Sequence, residues 1–126
     1  MSAVALPDVG GDDLRISAEH EGDALTVRLV GTADMRVNEG LDRVMATVHD
    51  EAQRLAAARV RVDLRELEFM NSSCLKSLVT WINQARELPP ERRYTINFVS
   101  QPGILWQRRS LNALRCFAVD LITVET

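Results

Sequence analysis

Residues Asn71-Ser72-Ser73-Cys74 concentrate the chemistry of this chain. They follow an apolar pair, Phe69-Met70, and precede Leu75, Leu78, Val79 and Ile82, which recur at helical spacing. A polar tripeptide is thus delivered to the start of an amphipathic helix. Asn and Ser side chains there accept hydrogen bonds from the free backbone N–H groups of the first turn. The same helix start carries partial positive charge. A phosphate on a serine would be well tolerated there and would add close to two negative charges. Residue types and spacing alone leave capping as sufficient explanation, since a cap is worth roughly 1 kcal/mol.

Other reactive residues form no constellation. Cys74 sits near a helix N-terminus, a position that can lower a thiol pKa, but no histidine is near it in sequence. His20 and His49 are isolated and read as solvated. Cys74 and Cys116 are far apart and read as free thiols of a cytosolic protein. No cysteine or histidine spacing fits a structural zinc site, and there is no Gly-rich phosphate loop. No catalytic residue, metal or cofactor is expected, and the chain is not expected to be an enzyme. Trp81 falls off the Leu75, Leu78, Val79, Ile82 stripe, where a tryptophan reads either as an exposed contact residue or as part of a core rim. Arg92-Arg93 and Arg108-Arg109 read as solvated basic pairs.

The elements that must position these residues follow from periodicity. Leu14, Ile16 and Ala18 alternate with polar residues, as do Leu25, Val27 and Leu29; Glu21-Gly22-Asp23 lies between, which predicts an antiparallel hairpin. After the loop Gly31-Thr32-Ala33-Asp34, Leu41, Val44, Met45, Val48, Ala52 and Leu55 predict a helix from about 37 to 58. Val60, Val62 and Leu64 predict a third strand, followed by a short polar step over Arg65-Glu66-Leu67-Glu68. The helix carrying the serines stops before Leu88-Pro89-Pro90. Tyr94, Ile96 and Phe98 predict a fourth strand. Leu105, Trp106, Leu111 and Leu114 predict a third helix, and Leu121 to Val124 a last strand. The order β-β-α-β-α-β-α-β implies an α/β domain with a mixed, mostly parallel sheet. Because Arg59, Arg61 and Asp63 share one face of a strand, the helices are expected mainly on the other face.

Bulk properties agree with one small domain. The chain has 126 residues, 46% of them hydrophobic, and a formal net charge of −3. That is long enough for a single core. It carries no general attraction for nucleic acid or anionic membrane. No apolar run approaches the ~20 residues of a membrane span. Residues 1–13 read as a flexible lead-in rather than a signal peptide, and residues 14–126 as the domain.

The stretch from Val60 to Leu75 resembles the signature of STAS domains, the family of bacterial anti-sigma-factor antagonists. In that family an apolar strand with an aspartate leads, through a polar step and an apolar pair, to Asp-Ser-Ser-Gly-Leu and a helix. Here Val60-Arg61-Val62-Asp63-Leu64, Glu68-Phe69-Met70 and Asn71-Ser72-Ser73-Cys74-Leu75 stand in those places. Asn71 replaces the usual aspartate, keeping the cap but losing the charge; Cys74 replaces the usual glycine and is expected to bring a side chain close to the partner surface. The segment Trp106-Gln107-Arg108-Arg109-Ser110-Leu111 is also similar to a divergent bacterial group of STAS-like regulators with an Asn-Ser-Ser site. The resemblance implies a non-enzymatic module in a partner-switching circuit that regulates transcription. Ser72 would be phosphorylated, less favourably Ser73, by a GHKL-type serine kinase that is also the anti-sigma factor. A metal-dependent serine phosphatase would reverse it. Asp34, Asn71, Ser73, Cys74, Lys76, Thr80 and Trp81 would form the docking surface. The alternative is a constitutive scaffold or ligand sensor on the same fold, with the serines serving only as caps.

Overall fold

A computed structural model describes residues 2–126. Six strands form one sheet: β1 (Ser2–Val4), β2 (Leu14–Glu21), β3 (Ala24–Ala33), β4 (Arg59–Met70), β5 (Thr95–Val99) and β6 (Ile122–Glu125). Helices α1 (Asn38–Arg54), α2 (Ser72–Arg86) and α3 (Leu105–Phe117) join the parallel strands. Spatial order equals chain order, β1 to β6. The β1–β2 and β2–β3 pairs are antiparallel; the other three are parallel. Each crossover therefore steps one strand in the same direction. With the usual right-handedness, all three helices fall on one face.

Burial follows that arrangement. Leu25, Val27, Leu29, Val60, Val62, Leu64, Ile96, Phe98 and Ile122 point under the helices and are excluded from solvent. The other face is polar and laced by side chains. Asp63 accepts from Arg65 at 2.8 Å and pairs with Arg28 at 3.3 Å, Arg61 pairs with Glu125 at 2.9 Å, and Asn97 donates to Thr123 at 2.8 Å. The Arg65 hydrogen bonds hold the Asp63 carboxyl below its usual range despite its burial.

Three expectations are corrected. The lead-in expected over residues 1–13 is not loose over the described residues 2–13: Ser2–Val4 pairs with β2, and Val9 is buried. The segment lies so close to the domain that a Cβ on Gly40 would fall 1.7 Å from the Val9 carbonyl oxygen. Helix α1 starts at Asn38 after a single 3-10 turn (Met35–Val37) and ends at Arg54, where Ala56 adopts a φ of 52°. The third predicted strand does not stop at Leu64. It runs twelve residues to Met70. Against β3 its register slips twice, Asp63↔Arg28 to Glu66↔Val30 and Leu67↔Gly31 to Phe69↔Thr32. Each slip inserts one extra β4 residue, so the inward side chains become Leu64, Leu67 and Met70. A spacing of three hides a strand from any test for alternation.

Candidate functional site

The C-terminal ends of β3, β4 and β5 share one edge of the sheet, and the serine pair lies on it. The β4 chain leaves the sheet at Met70, whose neighbour Asn71 donates its backbone N–H to the Ala33 carbonyl at 2.7 Å. Asn71 then caps α2: its side-chain oxygen accepts from the Ser73 backbone N–H at 2.7 Å. Ser72 and Ser73 are the first two residues of the helix. Ser72 is exposed and Ser73 half-buried. Among the described residues neither hydroxyl makes a hydrogen bond. The cap belongs to Asn71, so the Ser72 hydroxyl is not spent on it.

Asp34 lies beside this helix start. Its carboxylate caps the Met35–Val37 turn, accepting from the Arg36 backbone N–H at 2.9 Å, and holds the Arg36 guanidinium at 2.6 Å. Arg36 also reaches Asp13 at 2.8 Å. Hydrogen bonds from Arg36 lower the Asp34 pKa. The Asp34 backbone carbonyl accepts the Cys74 thiol at 3.2 Å, which ties this loop to the first turn of α2. One turn on, Ser77 donates to Asn38 of α1 at 3.2 Å.

The structure thus brings Asp34, Asn71, Ser72 and Ser73 together. Lys76 and Thr80 continue along the exposed side of α2, with the Thr80 hydroxyl bonded to the Lys76 carbonyl at 3.1 Å. Two expected contact residues are not on the surface. Cys74 is fully buried, and burial pushes its thiol pKa up, away from thiolate chemistry. Trp81 is also buried; its indole N–H donates to Tyr94 Oη at 2.8 Å, and His49 Nδ1 lies 2.7 Å from the same oxygen. The core stripe of α2 is Cys74, Ser77, Leu78, Trp81, Ile82 and Ala85. Counting the half-buried Leu75 and Val79 as core rotates that stripe and expels Trp81. His49 is likewise half-buried, not a free surface histidine.

Sequence reasoning missed the apolar part of the same edge. Met35, Phe69 and Leu105 are 70%, 48% and 62% exposed. They stand at the ends of β3, β4 and the β5–α3 loop. It also missed why Trp106 and Gln107 are adjacent. Trp106 donates its indole N–H to the Glu68 carbonyl at 2.8 Å. Gln107, buried, donates to the Leu64 and Leu67 carbonyls at 2.6 and 2.8 Å and accepts from the Gln101 backbone N–H at 2.9 Å. Inward residues at intervals of three, Leu64, Leu67 and Met70, were the available signal for the irregular strand that this pair holds.

Strand order rises along the parallel part of the sheet without reversal, so the serine edge has no crevice of the kind that takes a nucleotide in doubly wound folds. Among the described residues no group of three or more acidic, histidine or cysteine side chains could hold a metal ion, and no helix is long and apolar enough to cross a membrane.

The element order, the mixed sheet and the one-sided helices define a STAS-like fold. The chain is similar to the crystal structure of an anti-sigma factor antagonist from Mycobacterium paratuberculosis, with a TM-score of 0.66, 18% identity, and coverage of 89% of this chain and 85% of that one. The likeness is one of fold. No protein-family model matches the sequence, and no curated protein matches it.

Proposed function

We propose that this chain is a non-enzymatic binding module of a bacterial, cytoplasmic partner-switching circuit, acting as an anti-sigma-factor antagonist whose docking is reversed by phosphorylation of Ser72. The observation that carries this reading is the exposed Ser72 hydroxyl at the first residue of α2, left free because Asn71 supplies the cap. A phosphate placed there meets the unpaired N–H groups and positive end of the helix, so the domain can accept it without unfolding. A partner seated over Ser72 would meet two new negative charges and the cost of desolvating them. The partner would be a GHKL-type serine kinase that doubles as anti-sigma factor, with a metal-dependent serine phosphatase restoring the free hydroxyl. Similarity in fold to an anti-sigma factor antagonist supports the general role.

Incubation with a co-encoded GHKL-type kinase and ATP tests this. One phosphate should appear by intact-mass measurement, and Ser72→Ala should abolish it while Ser73→Ala does not. Phosphate at another residue, or an unmodified chain, would overturn phosphorylation at Ser72. A constitutive scaffold would instead bind its partner equally well as wild type and as Ser72→Asp.

A further inference from the structure

Strand β4 overhangs its neighbour. The pairing with β5 ends at Asp63↔Val99, yet β4 continues to Met70. Seven residues therefore run on with β3 on one side and no strand on the other. The start of α3 takes the place of the missing strand. Gln107 and Trp106 receive the carbonyls of Leu64, Leu67 and Glu68 through three hydrogen bonds of 2.6 to 2.8 Å. Gln107 has no idle polar group: both its N–H donors and its oxygen are engaged. A buried, fully satisfied amide is a rigid fixture, whereas an unsatisfied one would be costly.

This fixture holds Glu68, next to Phe69 in the chain. The second register slip lies between Leu67 and Phe69, directly beneath the Trp106 bond to Glu68. Bulges commonly re-aim a side chain, and here an aromatic ring is turned out to solvent two residues before Asn71 and three before Ser72. Met35, just after β3, and Leu105, at the start of α3, are the other exposed large hydrophobics at the ends of these elements. Aromatic side chains in such settings are preferred anchors of protein interfaces.

We propose that Trp106 and Gln107 are positioning residues for the Ser72 surface: they hold the overhanging end of β4 so that Phe69 stands beside the serine as an apolar anchor for the same protein partner. This rests on the reading of Ser72 as the centre of a partner-switching surface. Trp106 and Gln107 act through β4; Phe69 makes the contact.

The test is a double-mutant cycle on Phe69→Ser and Trp106→Phe, with affinity for the purified co-encoded kinase measured in the Ser72→Ala background, where no phosphate can form. Intact mass of the wild type is followed in parallel. Phe69→Ser should weaken binding by roughly tenfold or more with no loss in the urea midpoint of unfolding. Trp106→Phe should weaken it less, and the double variant should bind no worse than Phe69→Ser alone, because the tryptophan acts only through the ring. Phe69→Ser binding like its parent would overturn the inference, as would penalties that simply add. Those results leave phosphorylation of the wild type intact. Conversely, binding that depends on Phe69 in a chain that gains no phosphate would remove the phosphoswitch and keep the anchor. A kinase that binds none of the forms overturns both.

Discussion

Trp81 and Trp106 each donate an indole N–H across 2.8 Å, one to a tyrosine hydroxyl and the other to a backbone carbonyl. Trp81 is enclosed between the helices and the sheet, and its bond is one link in a buried chain from α2 through Tyr94 to His49 of α1. Trp106 is half-exposed, and its bond secures a strand end at the rim. The first bond stitches the core together, so its loss is felt as stability. The second places a surface, so its loss should be felt mainly as recognition. One side-chain type thus serves two purposes, separated by whether the ring itself is surrounded.

Truncating Trp81 to Ala removes the largest fully buried side chain and should cost ~3–5 kcal/mol in urea unfolding. A loss no greater than that of Trp106→Ala would erase the distinction. Tyr94→Phe leaves the buried Trp81 N–H without an acceptor and should cost about 1–3 kcal/mol by the same measurement. At the serine edge, Asn71→Ala removes the α2 cap and should cost about 1 kcal/mol. Trp106→Phe should cost about the same or less, being one net hydrogen bond.

The buried chain also predicts a pH dependence that the rim lacks. Tyr94 Oη accepts from Trp81 and lies 2.7 Å from His49 Nδ1; burial lowers the His49 pKa from the usual 6.5, with Asp50 opposing. Burial raises the Tyr94 pKa, so that hydroxyl keeps its proton. The unfolded chain therefore takes up the histidine proton more readily than the folded one. The stability is whole above about pH 6.5 and falls as pH drops from there towards the folded pKa. His49→Gln should flatten the urea midpoint between pH 7 and pH 5 relative to wild type. Asp34 and Asp63, both lowered from 3.8, make their contribution lower on the scale: it is present above that value and lost as pH falls below it. The smallest effect is expected at the centre of the proposed switch. Ser72→Ala should change stability by less than about 0.5 kcal/mol, since the side chain is exposed and caps nothing. A loss as large as that of Asn71→Ala would return Ser72 to a structural role.

Most of the fold was legible because most of its strands alternate. Leu25, Val27 and Leu29, or Ile96 and Phe98, meet one covered face and one open face, and period two states this directly. The failures lie where period two breaks. The β4 overhang reads as a strand and then a polar step because two bulges shift Leu64, Leu67 and Met70 to every third position. In α2 the position of Ser72 was legible from the Asn-Ser-Ser cap, but the phase of the buried stripe was not. Ser77 is polar and buried against Asn38, and Cys74 and Ala85 are small, whereas Leu75 and Val79 are large and only half-covered. Hydrophobic size misstates the buried direction when a helix packs on a sheet and on a neighbouring helix at once. Strand β1 escaped notice because three residues are too few to show a period.

The strictly sequential strand order has a kinetic meaning. Every strand of this sheet after β1 pairs with the strand that precedes it in the chain. An emerging chain can therefore add each strand to a neighbour already in place, with no gap held open for a later arrival. Each addition closes only a loop of one hairpin or one helical crossover, so the entropy of closure stays small at every step. The serine-bearing turn is complete once α2 has docked, but the side chains that hold its approach come from α3. In such an order of assembly, the surface around Ser72 acquires its final shape only once α3 has been made and docked.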